Sequence, residues 1–203
     1  MSSFYQKTIK SVAQFSGAGL HTGKRVEMKL LPAAPNHGIV FKRTDLKRNN
    51  LISAIFDNVS KAVLCTNLQN EFGVSVLTVE HLMAAFYVEG IDNVMVEIDA
   101  PEVPIMDGSA FDFVEAIRLF GTQPQKYLKK FIKVLKKFEL KDGPKHISIE
   151  PLMKDLIIEF EIVYNNPLIR TRRKEFKFSN GDLSLLYNSR TFCLYDDQRK
   201  VIR

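Results

Sequence analysis

Cysteine is scarce in this 203-residue sequence: Cys65 and Cys193 are the only two, far apart and without CxxC spacing. That excludes a disulfide framework and a cysteine-built zinc knuckle, and leaves buried free thiols as the expectation for both. Long apolar runs are missing as well. No stretch of 18 or more apolar residues exists, so no transmembrane segment is expected. The N-terminal "MSSFYQKTIKSVAQFSG" has none of the apolar h-region of a secretory signal. Together these absences predict a cytoplasmic protein. Histidine is also rare. His21, His37, His81 and His146 form neither HExxH nor a pair at i and i+4, so spacing alone gives a metal little support.

What is present is ordinary for a soluble globular chain, with 45% hydrophobic and 26% charged residues. The charge is uneven. The net +6 divides into −2 over residues 1–125 and +8 over residues 126–203. Eight lysines fall between Lys126 and Lys145, and "RTRRKEFKF" adds Arg170, Arg172, Arg173, Lys174 and Lys177. A basic face of this kind suits a phosphorylated substrate, a nucleic acid or an anionic surface, and equally a plain solvated strand face.

Periodicity divides the chain into elements. "RVEMKLL" and "NVMVEID" alternate as half-buried strands do, with Val26, Met28 and Leu30 on one face of the first and Val94, Val96 and Ile98 on one face of the second. A helix follows "PEVPIMDGSA": Ser109 as N-cap with Asp112 three residues on has the spacing of a capping box, Phe113, Val114, Ile117 and Phe120 form its apolar side, and Gly121 ends it. Strands and helices in this order predict an α+β module over residues 1–123. "GTQPQKYLKK" breaks both periodicities and is expected to be a linker. A second module, residues 124–203, resumes with strands. Ile132, Val134, Phe138 and Leu140 share a face, Asp142-Gly143 signals a hairpin, and "LIIEFEIVY" aligns Leu156, Ile158, Phe160 and Ile162. A further strand through Phe176 and Phe178 and a helix beginning in "GDLSLLYNS" leave this module incomplete at residue 203.

Chemistry concentrates in "LTVEHLMAAF", residues 77–86. From Leu82 to Val88 no charge interrupts the apolar run, Gly90 supplies a stop, and a helix apolar all round is a buried one. Glu80 and His81 therefore stand at its N-terminal end, where free N–H groups and the helix dipole favour a carboxylate. Catalysis and a buried, hydrogen-bonded His–Glu pair both fit that placement. His21 lies in "GAGLHTGKRVEM" among Gly17, Gly19 and Gly23, a loop that either presents an imidazole to a cleft or makes a tight turn. His37 in "APNHG" and His146 in "HISIE" are expected at the surface.

"SGAGLHTGKRVEM", "VLCTNL", "LTVEHLMAAFYVEGIDNVMVEIDAPEVPIMDGSA" and "SRTF", in that order and spacing, resemble the bacterial UDP-3-O-acyl-N-acetylglucosamine deacetylases, the zinc amidases of lipid A biosynthesis. The resemblance implies an α+β fold of two modules, with helices packed between sheets. It implies that His81 is a ligand of Zn2+ and that Glu80 is the general base. Zinc lowers the pKa of its water to about 7, and an adjacent carboxylate accepts the proton as hydroxide attacks the amide. Thr191 matches a hydroxyl that polarises the carbonyl, and Phe192 a residue lining the substrate site. His21 falls in a loop at the site's rim, Cys65 near the acyl and sugar pocket, and Asp107 in a loop beside the site. A turn, a packed thiol and a helix-entry loop are their plainer alternatives.

Departures from the family pattern matter equally. Family members continue further, and there a His-x-x-x-Asp pair completes the zinc site and another histidine serves as general acid. Neither occurs before Arg203, and Asp196 and Asp197 are not in the ligand positions. The resemblance thus implies a C-terminally truncated deacetylase, inactive alone, with UDP-3-O-acyl-N-acetylglucosamine and a missing C-terminal fragment as partners. Alternatives are a non-catalytic fragment that binds the UDP-sugar or a partner, and nucleic-acid binding through "RTRRKEFKF", which lacks an accompanying RNP-type glycine pattern.

Overall fold

The computed structural model describes residues 4–178 and 183–192, so Cys193, Asp196 and Asp197 lie outside the described residues. The described residues divide into two compact units, one formed by residues 4–129 with 187–192 and the other by residues 130–178 with 183–186.

In the first unit the elements run β1 (Tyr5–Ile9), β2 (Ala13–Ala18), β3 (Arg25–Pro32), β4 (Ile39–Arg43), β5 (Leu51–Ser53), β6 (Val59–Ser60), β7 (Asn67–Gln69), β8 (Ser75–Leu77), α1 (Glu80–Glu89), β9 (Val94–Ile98), α2 (Phe111–Phe120) and β10 (Thr122–Leu128). Five strands make a sheet of order β2-β3-β9-β4-β5, in which only β4 and β9 are parallel. The expected alternation sets the register: Met28 pairs with Ile98 and Leu30 with Val96, and Val26, Met28, Leu30, Val94, Val96 and Ile98 are all buried. Such side chains contribute about 1.5–3 kcal/mol each on burial. Helices α1 and α2 pack on one another and share this core through Leu82, Ala85, Phe86, Phe113, Val114 and Ile117. Phe113 meets Phe15 of β2 edge-on, with ring centroids 5.1 Å apart. The fold is α+β, with helices against sheet.

Helix α1 is less enclosed than its composition suggests, because Tyr87 is exposed. Gly90 ends it as expected, in the left-handed conformation (φ 69°), its N–H reaching the carbonyls of Phe86 and Tyr87. At the start of α2 the expected capping box is replaced. Ala110 is the N-cap and no side chain caps it, while the Ser109 hydroxyl accepts the Phe111 N–H at 3.0 Å and donates to Asp107 at 2.6 Å. The Asp107 carboxylate has taken the role that spacing assigned to Asp112.

The expected linker is also different: Thr122–Leu128 is β10, antiparallel to β1. Strand β10 is polar or Pro from Thr122 to Lys126, so no alternating apolar face betrays it, and an edge strand tolerates Pro124. Its Gln125 donates to the Ala33 carbonyl and accepts from buried Asn93, a fixed connection to the main sheet.

The second unit has two hairpins, β11 (Phe138–Asp142) with β12 (Lys145–Ile149), and β13 (Ile157–Val163) with β14 (Thr171–Lys177); a short helix, α3 (Ser184–Tyr187), follows. Asp142 pairs with Lys145 across Gly143-Pro144, the hairpin its sequence announced, and Gly143 has φ +54°. Strand β11 begins only at Phe138, so Ile132 and Val134 precede it. Among the described residues no helix is long and apolar enough to cross a membrane.

Candidate functional site

Residues 101–110 organise the site. This segment runs beside β8, where the Leu77 N–H donates to the Pro101 carbonyl and the Val103 N–H to that of Leu77. It then meets the end of β2, where the Ile105 N–H donates to the Ala18 carbonyl. Two groups of polar side chains are built on it.

The first group centres on Glu102, which is fully buried. Its carboxylate accepts the N–H of His21 at 2.9 Å, the N–H of Thr22 at 2.8 Å and the hydroxyl of Thr78 at 2.8 Å. Burial drives its pKa up, but the His21 and Thr22 amides and the Thr78 hydroxyl outweigh that and hold it below the ordinary glutamate value. Thr78 leads into α1. Two residues later Glu80 opens the helix, and one carboxylate oxygen accepts the Thr66 N–H at 3.0 Å. The Cys65 thiol, one residue before Thr66, lies near enough to both carboxylates to feel their charge. Burial pushes its pKa up, hydrogen bonding from Thr78 opposes that, and the charges of Glu80 and Glu102 add to the rise. This environment disfavours the thiolate form of Cys65. His81 is half-buried beside Glu80, and the His21 Nε2 is buried without a hydrogen-bond partner. An apolar recess of about 190 Å³ adjoins the group, lined by Thr66, Leu68, Val79, Met83 and the Ala54–Val59 turn.

The second group centres on Asp107. One carboxylate oxygen accepts both the N–H and the hydroxyl of Ser109; the other accepts two guanidinium N–H groups of Arg190, at 3.2 and 2.9 Å. The Ser109 hydroxyl, assisted by its amide and by Arg190, holds the Asp107 pKa below its usual value. Beside this pair the Thr191 N–H donates to the Gly108 carbonyl at 2.8 Å, and the Ala110 N–H donates to that of Tyr187 at 3.1 Å. Residues 187–192 are therefore seated on the loop that enters α2, with Thr191 against Gly108 and Phe192 half in solvent.

The structure thus brings Cys65, Glu80 and His21 to one knot through Thr78 and Glu102, and Asp107 and Thr191 to another. Glu102, Thr78 and Arg190 carry these knots without having been singled out in the sequence, although Glu102 and Arg190 sit inside "PEVPIMDGSA" and "SRTF". A backbone signal accompanies them. Of six non-glycine residues with positive φ among the described residues, Leu64 (61°), Thr78 (57°) and Met106 (52°) each stand one or two positions before Cys65, Glu80 or Asp107. Strain of this kind gathers at functional sites.

A catalytic zinc takes three protein ligands. Among the described residues no three His, Cys, Asp or Glu side chains gather as a metal requires, so these residues do not by themselves fit a complete zinc site.

The sequence comparisons agree with the motifs. The family model LpxC, UDP-3-O-acyl N-acetylglycosamine deacetylase, matches residues 6–203. The UDP-3-O-acyl-N-acetylglucosamine deacetylase of Aliivibrio fischeri is 40% identical over 195 residues, which is 95% of this chain and 64% of that protein. That of Shewanella halifaxensis is 42% identical over 196 residues, with the same shares, and that of Blochmanniella pennsylvanica is 40% identical over 195 residues, 95% of this chain and 65% of that protein. This chain spans less than two thirds of the relatives it matches, yet nearly all of it is matched, and it belongs to the UDP-3-O-acyl N-acetylglycosamine deacetylase family.

Proposed function

We propose that this chain carries the base-bearing part of an amidase that removes acetate from the 2-acetamido group of UDP-3-O-(3-hydroxyacyl)-N-acetylglucosamine, in the cytoplasmic steps of lipid A biosynthesis. The remaining site residues come from the region of the relatives that this chain does not match. The observation that carries the proposal is the seat of Glu80, an ionisable carboxylate at a helix N-terminus, anchored through one oxygen by the Thr66 N–H. The other oxygen is available to take a proton from water as that water adds to the amide carbonyl, general-base work commonly worth about 10²–10⁴ in rate. The Thr191 hydroxyl, held by its backbone on Gly108, donates to the oxygen that gains charge. Phe192 and the Cys65 wall face the sugar and acyl portions, with His21 and Asp107 at the rim. His81 is this chain's contribution to the zinc ion of the family, Zn2+ being completed by ligands from the unmatched region. The departing amine also needs a proton, and that acid belongs to the same region.

Acetate release from the UDP-sugar tests this. The 203-residue chain alone is expected to give none above background, and a rate near that of the full-length Aliivibrio fischeri enzyme would refute the incomplete site.

A further inference from the structure

We propose that Glu102 is the positioning residue of this site: its buried carboxylate fastens the His21–Thr22 turn to Thr78, from which α1 departs, and thereby sets where Glu80 points. The proposal rests on Glu80 as the base.

A fully buried carboxylate is costly unless its lone pairs are filled. Lysine and arginine do not fill them. The acceptors are met by two consecutive amides, His21 and Thr22, and by one hydroxyl, Thr78, at 2.8–2.9 Å. The turn is closed tightly on the charge, since a Cβ at Gly19 would stand 2.4 Å from the carboxylate oxygen and from the Thr22 hydroxyl. The Gly19 N–H donates to Lys24 and the Gly23 N–H to Gly19, so the loop's backbone is committed to this shape, a cradle of amides around an anion.

On the other side, Thr78 is a β-branched residue held at φ +57°, which it does not adopt unaided. The start of α1 has no side-chain cap of its own, because Val79 is the N-cap and is apolar. What fixes the direction of the first turn is therefore the Thr78 hydroxyl on Glu102. Glu80 follows two residues later, and the Thr66 N–H that meets its carboxylate reports on its position.

Amide hydrogen exchange on the 203-residue chain carrying Glu102→Gln is the test. The amide keeps the size but turns one acceptor into a donor facing donors. The expected result is that Thr66, His21 and Thr22 lose protection by about tenfold or more, while Val94, Val96 and Ile98 in β9 keep theirs. Should that variant not fold, Thr78→Val removes the hydroxyl alone and is expected to expose Thr66 in the same way. Unchanged protection at Thr66 in a folded variant would overturn the proposal, as would an equal loss throughout β9. Because exchange needs no turnover, this result stands apart from whether the chain forms part of a deacetylase.

Discussion

Asp107 and Glu102 show how single carboxylates hold loops in this fold. Both have pKa values depressed by hydrogen-bond donors, with Ser109 and Arg190 acting on Asp107. A depressed folded value means that the stabilisation is complete above the unfolded carboxylate pKa, about 3.9 for aspartate, and is lost as pH falls through the lower folded value. Asp107→Asn is therefore expected to lower the melting temperature at neutral pH, with the gap to the parent protein closing as pH falls below the ordinary aspartate range. A gap that stays constant through that fall would exclude the charge as its source. The motifs single out Glu80, His81, His21, Cys65, Asp107, Thr191 and Phe192 as candidates. The same motifs contain Glu102 and Arg190, but what those two hold is not legible in them, since a buried carboxylate met by an amide 80 residues away and a guanidinium clamped to a carboxylate 83 residues away are tertiary facts.

Among elements, α1 was legible in outline. Its apolar run and Gly90 predicted both helix and stop, whereas exposure of Tyr87 depends on which neighbours cover it. The alternation of β3 and β9 fixed their buried faces. Strand β10 is not legible because a polar edge strand has no apolar face to repeat, and α2 starts one residue later than the capping-box spacing suggests, with Ala110 as N-cap and the Ser109 hydroxyl accepting the Phe111 N–H while donating to Asp107. Burial along α1 gives a graded prediction. Leu82→Ala, at a fully buried position, is expected to cost about 2–5 kcal/mol in urea unfolding. Met83→Ala, where the side chain lines the open recess, is expected to cost clearly less. Equal losses would mean that the recess is closed in solution.

For the whole molecule, the two units differ in what covers their strands. The first buries both a five-stranded sheet and two helices in one core. In the second, Phe138 pairs with Ile149 and Leu140 with Ile147 on two-stranded ribbons, and all four side chains are more than half exposed. Isolated ribbons of this kind are marginal in water. Amides of β11–β14 are expected to exchange at least about 10²-fold faster than those of β3 and β9, and comparable protection would show that the second unit has a core of its own. The strand periodicity of this half was legible in part, including the β11–β12 turn, although Ile132 and Val134 fall before β11.

The most direct test joins this chain to the part of the Aliivibrio fischeri deacetylase that it does not match and measures acetate release from UDP-3-O-acyl-N-acetylglucosamine, with and without Glu80→Gln. Turnover is expected in the joined protein, with a loss of about 10²-fold or more on the substitution and the fold intact. Undiminished turnover after Glu80→Gln would contradict that expectation, because the carboxylate at the start of α1 would then not be the base.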